Sequence, residues 1–307
     1  MSVPLSIAEP VADAMAKGRP VVALESTIIS HGLPRPRNLQ AARDFENILS
    51  DMGVTPATIA VLDGQLKVGL SDAELERIAS DDDVVKVSVR DLPVVVARKA
   101  SGATTVAATS YIASRAGVRV FSTGGLGGVH REASATFDES ADLPTLAATP
   151  ITVVSAGVKS ILDIPATLER METLGITILG FGTDSFPSFW LTDSGETLDW
   201  SVADADAVAD VMAANDALER RSAILVANPL PLDRQLDPAL HDRALAEALA
   251  GAAADGVTGK DVSPYLLDKM VQITGGASLE VNLAIAAGNI DVGGRIAKAW
   301  ASRRLRS

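Results

Sequence analysis

Two ionisable side chains, Glu25 and Lys159, closely follow short apolar segments with the composition of buried strands, at 21–24 and 151–154. Ligands of parallel α/β sheets gather at the carboxyl ends of the strands. Partial loss of hydration there raises the pKa of a carboxyl group and favours the neutral form of an amine. The pair therefore suits proton donation by Glu25 and nucleophilic or Schiff-base chemistry by Lys159. A loop carboxylate and a surface lysine are the alternatives that the spacing leaves open.

A third charged side chain, Lys86, lies within the alternating run 84–89. The two-residue period of a strand places Lys86 and Ser88 on one face and the valines at 85, 87 and 89 on the other. A buried ammonium group needs an anion or a water-filled cleft, because an unpaired buried charge is costly. The run therefore indicates either an anion-binding strand or an edge strand with a solvated face.

The segment 124–128, Gly-Gly-Leu-Gly-Gly, exposes backbone N–H groups that an anion can approach closely. It matches neither the P-loop nor the dinucleotide-binding fingerprint. His130 and the acidic residues Asp138, Glu139 and Asp142 follow it. One imidazole among hard oxygen ligands suits Mn²⁺ or Mg²⁺ better than zinc. The alternative is an acidic surface turn.

The elements that must position these residues alternate between short β-type runs and helical stretches, which predicts an α/β fold with a largely parallel sheet between helical layers. Asp63-Gly64 predicts a hairpin that makes the sheet mixed. Asn38 is predicted to cap one helix, and another is predicted over 103–116. We expect a single domain over 1–307, within which residues 191–205 follow no recognised pattern.

Composition excludes several classes of function. The 307 residues contain no cysteine, so thiolate metal sites and thiol nucleophiles are absent. A net charge of −12 and an aromatic content of 4% argue against nucleic-acid binding, which depends on clustered Lys and Arg. Apolar runs are too short to span a bilayer, and the N-terminus has no signal-peptide pattern. We expect a cytoplasmic enzyme.

Ordered blocks across 21–289 resemble the pseudouridine-5′-phosphate glycosidase family, which includes the indigoidine synthase A-like proteins. The longest are VALESTIISHG at 22–32, GATTVA at 102–107, TGGLGGVHR at 123–131 and SAGVKSILD at 155–163. The resemblance implies an α/β/α sandwich, a homotrimer and a bound Mn²⁺. It also implies reversible cleavage of pseudouridine 5′-phosphate with water, which yields uracil and ribose 5-phosphate.

The resemblance also implies roles for particular residues. Lys159 falls on the family's nucleophile, Glu25 on its proton donor and Asp138 on its metal carboxylate. Positions that contact substrate fall on Lys86, Val106, Ser140, Ala141, Asp142, His130 and Asn282.

Cleavage of a C-glycosidic bond is consistent with an amine and a carboxylic acid. The leaving base is a poor carbanion, so capture of ribose C1′ by an amine, followed by protonation of the base carbon, is the better route. The paired-carboxylate mechanism of ordinary glycosidases assumes an oxygen leaving group. A lysine-dependent sugar-phosphate aldolase or lyase is the alternative enzyme, and an RNA-binding protein acting on pseudouridine in polymers is the alternative class.

Overall fold

The computed structural model describes residues 5–257 and 262–304. Its strands are β1 (Leu5–Ile7), β2 (Val21–Leu24), β3 (Thr55–Leu62), β4 (Gln65–Val68), β5 (Val85–Val87), β6 (Gly102–Thr104), β7 (Val120–Ser122), β8 (Thr152–Ser155), β9 (Thr177–Phe181), β10 (Ser201–Val202) and β11 (Ile224–Ala227). The helices are α1 (Glu9–Ala16), α2 (Arg37–Asp51), α3 (Asp72–Ser80), α4 (Leu92–Ala97), α5 (Val106–Ala116), α6 (Ala133–Thr136), α7 (Asp142–Ala147), α8 (Ile164–Thr173), α9 (Ala205–Ala217), α10 (Pro238–Ala254), α11 (Val262–Ile273) and α12 (Ala277–Arg304).

The strands form one sheet in the order β1-β4-β3-β2-β7-β8-β11-β9-β10, and β6 branches from β3 and carries β5. Neighbouring strands pair in parallel except where β3 meets β4 and β6. The antiparallel β3–β4 pair is the predicted Asp63-Gly64 hairpin, whose two turn residues have φ of 51° and 77°. The prediction of a mixed, largely parallel sheet is confirmed.

Helices cover both faces of the sheet, because alternate strand residues point to opposite sides. Val22 and Leu24 of β2 pack with α2, α9 and α12. Val21 and Ala23 pack instead with the layer that contains α1, α5, α7 and α8. The three-layer α/β/α arrangement is thus present. Among the described residues, no helix is both long and apolar enough to cross a bilayer.

Two local predictions were wrong. Asn38 does not cap α2 but lies in its first turn, 1% exposed, where its Nδ2 donates to the carbonyls of Ile29 (2.9 Å) and Ala79 (2.8 Å). The helix predicted from residue 103 begins only at Val106, because 102–104 form β6. In both cases a partner distant in sequence overrides the local pattern.

A buried hydroxyl pair, Ser26 and Thr104, fastens the β5–β6 branch to the end of β2. Ser26 Oγ donates to the carbonyl of Ile59 (2.6 Å) and accepts the backbone N–H of Thr104 (2.8 Å). Thr104 Oγ1 donates to the same carbonyl at 2.7 Å. Because Ser26 follows Glu25 directly, this contact brings the branch that carries Lys86 to the carboxyl end of β2.

The long helix α12 approaches the sheet closely at Gly293, where an added Cβ would lie 2.0 Å from Ser122 Oγ. At Gly288, on the same helix, a Cβ would meet none of the described atoms within 4 Å. We expect Gly293→Ala to lower the free energy of unfolding by about 1–3 kcal/mol through overpacking. Gly288→Ala should raise it by up to about 1 kcal/mol, because alanine favours helix. Urea unfolding checks both, and equal effects would contradict the close approach.

Candidate active site

The order of the sheet brings the two predicted catalytic residues together. β2, β7 and β8 are consecutive parallel neighbours, so the residues that follow them share one edge. Glu25 follows β2, Thr123 follows β7, and Lys159 lies four residues beyond β8. The resulting site therefore joins residues that are 98 positions apart in the chain (Glu25 to Thr123) and 36 positions apart (Thr123 to Lys159).

The carboxyl group of Glu25 has a raised pKa. Burial raises the pKa of its carboxyl group, and nearby Asp142 adds to the rise. The positive charges of Lys159 and Lys86 and a hydrogen bond from Thr123 Oγ1 to Oε1 oppose it without cancelling it. A carboxyl group with a raised pKa can retain a proton for donation near neutral pH. Both lysines therefore lie within electrostatic range of Glu25, as the proposed catalytic roles require.

Lys159 is held by hydrogen bonds from its backbone and from the end of its side chain. Its backbone N–H donates to the carbonyl of Leu126 (3.3 Å), and its Nζ donates to the carbonyl of Gly125, also at 3.3 Å. The preceding turn requires glycine at 157, where φ is 73° and a Cβ would lie 2.2 Å from the carbonyl oxygen of Pro187. The ammonium group therefore points to the glycine segment that follows β7.

The glycine segment 124–128 passes too close to its neighbours to carry side chains at several positions. A Cβ on Gly127 would lie 2.3 Å from Ser140 Oγ, and one on Gly128 would lie 2.5 Å from Thr167 Oγ1. Asp142 ties this segment to α5, since one carboxylate oxygen accepts the N–H of Gly127 and the other that of Ala107, each at 2.9 Å. The buried Asp142 thus orients the backbone.

The predicted substrate segment 140–142 and Val106 meet at this same place. Ser140 Oγ accepts the backbone N–H of Asp142 (3.2 Å), and Ala141 directly precedes α7. Val106 is the first residue of α5, next to the amide that Asp142 binds. The structure therefore brings these four residues together around the glycine segment, and their contact with substrate stays a prediction.

Lys86 occupies the short strand β5, whose side chains at 85 and 86 are both exposed. The sequence predicted that Lys86 and the valines would lie on opposite faces, with the valines in the core. Val85 is 47% exposed, so it does not follow that pattern. This is the edge strand that the sequence left as an alternative. The Lys86 charge nevertheless reaches the site. It partly opposes the rise in the pKa of Glu25, and it adds to burial in lowering the pKa of His31. His31, which the sequence reasoning did not single out, thus lies close to Lys86.

His130 and Asp138 face each other at the end of the glycine segment. The N–H of His130 donates to the carbonyl of Asp138 (3.0 Å), and Nδ1 lies 3.9 Å from Asp138 Oδ2. Glu139 Oε2 forms a salt bridge with Arg170 Nε at 2.9 Å. Within 5–257 and 262–304, no group of three or more His, Asp or Glu side chains could hold a metal. Two side chains are too few for a complete coordination shell. They suit only a cation to which water or substrate supplies most of the ligands.

Amide side chains from α12 complete the site. Asn282 Oδ1 is buried without a hydrogen-bond partner among the described residues and would lie 3.4 Å from a Cβ on Gly124. Asn289 Nδ2 donates to the carbonyls of Thr123 (2.8 Å) and Gly124 (3.1 Å), and Asn228 Nδ2 donates to Asn289 Oδ1. Sequence reasoning identified Asn282 but missed Thr123 and Asn289, although both lie within the resembling region.

A surface cavity of about 230 Å³ lies beside the amide pair and is lined by Asn228, Asn289, Arg234 and Arg295, among others. Neither Glu25 nor Lys159 lines it. The converging charged side chains therefore define the candidate active site, and the cavity adjoins it at the amides of Asn228 and Asn289.

A carboxyl group with a raised pKa beside a lysine, at the carboxyl ends of parallel strands, defines an α/β enzyme. Comparisons agree. Residues 10–299 match the family described as "Indigoidine synthase A like protein". Pseudouridine-5′-phosphate glycosidases of Frankia alni and Salinispora tropica are 61% and 60% identical, over 95% and 96% of this chain and 81% and 91% of theirs. The chain belongs to the indigoidine synthase A-like family.

Solved structures agree with the assignment. The prealnumycin C-glycosynthase AlnA, solved in complex with ribulose 5-phosphate, is similar with a TM-score of 0.92 and 34% identity over the full length of both chains. An indigoidine synthase A-like protein of Thermotoga maritima gives a TM-score of 0.88 at 34% identity over 97% of each chain. The predicted family and fold are confirmed.

The raised pKa of Glu25 predicts a pH-dependent gain in stability for Glu25→Gln. The unfolded carboxyl group ionises near its ordinary pKa of about 4.3, whereas the folded one holds its proton to higher pH. Wild-type stability should therefore fall relative to Glu25→Gln as pH rises through the raised value, then level off. Melting temperatures of both proteins, measured from about pH 5 to pH 8, check this.

Glu74→Gln is the matched control. Burial raises the pKa of Glu74, but hydrogen bonds from Lys67 and Ser71 outweigh burial and lower it overall. Its replacement should therefore cost stability at the higher pH, opposite in sign to Glu25→Gln. The same sign for both variants would refute the assignment of Glu25.

Proposed function

We propose that this enzyme reversibly cleaves the C-glycosidic bond of pseudouridine 5′-phosphate with water, giving uracil and ribose 5-phosphate. The observation that carries the proposal is the Glu25–Lys159 pair, within mutual electrostatic range at one edge of the sheet. Relatives with about 60% identity named as glycosidases of this substrate support the choice of substrate. A similar structure that holds a pentulose phosphate supports a sugar-phosphate ligand.

In the proposed reaction, Lys159 Nζ, as the neutral amine, forms a bond to ribose C1′ while the bond from C1′ to the ring oxygen breaks. The proton that the attacking nitrogen loses ends on the ring oxygen, which becomes a hydroxyl group. The nitrogen lone pair then expels the base. The C1′–base bond breaks, its electron pair stays on the base carbon, and a proton from Glu25 replaces the sugar there. Water hydrolyses the resulting imine, which frees the Lys159 amine and the aldehyde of ribose 5-phosphate. Lys159 can attack because its backbone and the Gly125 carbonyl hold it in place.

We propose that Lys86 binds the substrate phosphate. It is exposed, it lies on β5, away from the segment after β8 that carries Lys159, and its charge reaches Glu25 and His31. The backbone and side chains of 140–142, with Val106, His130 and Asn282, would surround the rest of the substrate. A lone buried acceptor such as Asn282 Oδ1 is costly unless a donor meets it.

We propose Mn²⁺, or Mg²⁺, as the cation, held by Asp138 and beside His130. When bound, such a cation supplies a positive charge and ordered water ligands near the site. Asp138 offers a partly exposed carboxylate whose neighbour Glu139 is neutralised by Arg170. A homotrimer in the cytoplasm remains the expected state of the protein.

The central prediction is that Lys159 forms an imine with the sugar. Wild-type protein incubated with pseudouridine 5′-phosphate should release uracil, and borohydride added during turnover should trap a sugar adduct on Lys159. Lys159→Ala should lower turnover by orders of magnitude and leave substrate binding largely intact, because only the nucleophile is removed. Uracil assay, calorimetric binding and peptide mapping check the three points.

Three outcomes separate the alternatives. Release of a triose from a ketose phosphate, without release of uracil, would identify an aldolase. An adduct on Lys86 would exchange the roles of the two lysines. Wild-type turnover by Lys159→Ala, with no adduct, would exclude the covalent route.

Lys86→Ala should impair pseudouridine 5′-phosphate far more than unphosphorylated pseudouridine. A charge-assisted contact of this kind contributes about 1.5–3 kcal/mol, which corresponds to roughly 10- to 100-fold in kcat/KM. Arg98→Ala, on the C-cap of α4, is the control for loss of a surface cation. An equal loss on both substrates would show that Lys86 does not recognise the phosphate.

Asp138→Ala should weaken the binding of Mn²⁺ and so raise the Mn²⁺ concentration that activity requires. Chelation should abolish most activity of the wild-type protein, with Mn²⁺ restoring it, whereas the variant should require much higher Mn²⁺. Bound Mn²⁺, measured by electron paramagnetic resonance, gives a readout independent of turnover. Full activity of Asp138→Ala after exhaustive chelation would contradict the site.

A further inference from the structure

A buried hydrogen-bonded pair lies directly beside Lys159. Ser160 Oγ and His241 Nε2 are 2.7 Å apart, and both residues are only 4% exposed. On its other side, His241 Nδ1 lies 3.0 Å from Oδ1 of Asp242, whose side chain is largely exposed. The helix α10 thus places an imidazole between solvent and the residue that follows Lys159.

The hydrogen-bond pattern determines what the imidazole can do. An ionised Asp242 can only accept, so Nδ1 of His241 carries a hydrogen. In the neutral ring Nε2 then accepts the Ser160 hydroxyl hydrogen, which fixes the rotamer of Ser160. Ser160 cannot itself serve as a nucleophile for a substrate, because it is buried. The pair therefore acts on its neighbour in the chain.

His241 reaches the other end of the Lys159 side chain through aromatic packing. Its ring lies 6.2 Å from that of Trp190, and Trp190 contacts Phe189 edge-on at 5.0 Å. Phe189 packs against Gly125, where a Cβ would be only 2.5 Å from its ring. The Gly125 carbonyl accepts the hydrogen bond from Lys159 Nζ. His241 is thus connected to Lys159 by two routes, through the adjacent Ser160 and through the Gly125 carbonyl.

We propose that His241 is a positioning residue, which orients the Lys159 amine through Ser160 and through the Trp190–Phe189–Gly125 contacts. The inference rests on the proposed role of Lys159 as the nucleophile. Other anchors keep the local backbone folded, since Arg131 donates to the carbonyls of Ser160 (3.2 Å) and Ile161 (3.3 Å). Loss of the imidazole should therefore misplace the amine without unfolding the segment.

The test compares His241→Leu, His241→Gln and Ser160→Ala in the uracil assay. His241→Leu removes the hydrogen bond, and kcat should fall by up to about 10²-fold, the cost of misplacing a reacting group by about 1 Å. KM should change little. In His241→Gln the amide oxygen takes the place of Nε2 and can accept from Ser160, so most of kcat should return. Ser160→Ala should resemble His241→Leu.

Ala248→Gly, at a fully buried position on the same helix, is the matched control. It destabilises α10 without touching Ser160 and should keep kcat near the wild-type value. An equal loss of kcat in Ala248→Gly and His241→Leu, or no rescue by glutamine, would overturn the proposal.

A second readout does not depend on the reaction. The rate at which an amine-directed reagent labels Lys159, relative to Lys86, is measured by peptide mapping in the absence of substrate. We expect a severalfold change in His241→Leu that His241→Gln reverses, and an unchanged ratio in all variants would overturn the positioning role. If the wild-type protein releases no uracil, the proposed function fails, and the labelling ratio still decides the role of His241.

Discussion

The site depends on one steric constraint, which is that backbone rather than side chains must fill the space after β7. At Gly125, Gly127 and Gly128 the neighbouring ring, carboxylate and hydroxyl groups lie where a Cβ would be. This closeness lets a single carboxylate, Asp142, bind the segment and the start of α5 together. It also lets the Gly125 carbonyl meet the Lys159 amine. A side chain added at any of these glycines would push apart groups that interact only at short range.

Burial makes Glu25 an unfavourable residue for stability once its carboxyl group ionises. Its burial favours the neutral acid, and two nearby lysines and Thr123 only partly offset that preference. A hydrophobic or amide residue would be easier to accommodate at this position. In the proposed reaction Glu25 donates a proton, and proton donation needs a group that holds its proton until the base departs. The burial that lowers stability at this position is therefore the same property that the proposed role requires.

How much could be read from the sequence depended on how far apart the interacting residues are. The Asp63-Gly64 hairpin was predictable, because its two paired strands lie on either side of the turn in the chain. Glu25 and Lys159 were found because a strand end is a local signal with a general meaning. Asn38, Thr104 and Asn289 were misread or missed, since their partners are 9 to 166 residues away. For His241 the decisive contact, with Ser160, spans 81 residues, and no pattern around it hints at that contact.

The attachment of β5 has a consequence for how such enzymes diverge. Lys86 sits on a three-residue strand at the margin of the sheet, joined to the centre through β6 and the buried Ser26–Thr104 contact. Glu25 and Lys159 instead follow the central strands β2 and β8. Under the proposed roles, substitutions on the marginal strand would alter which phosphorylated ligand binds and leave the bond-breaking residues unchanged. Ligand preference and bond cleavage would then be separately heritable traits in this architecture.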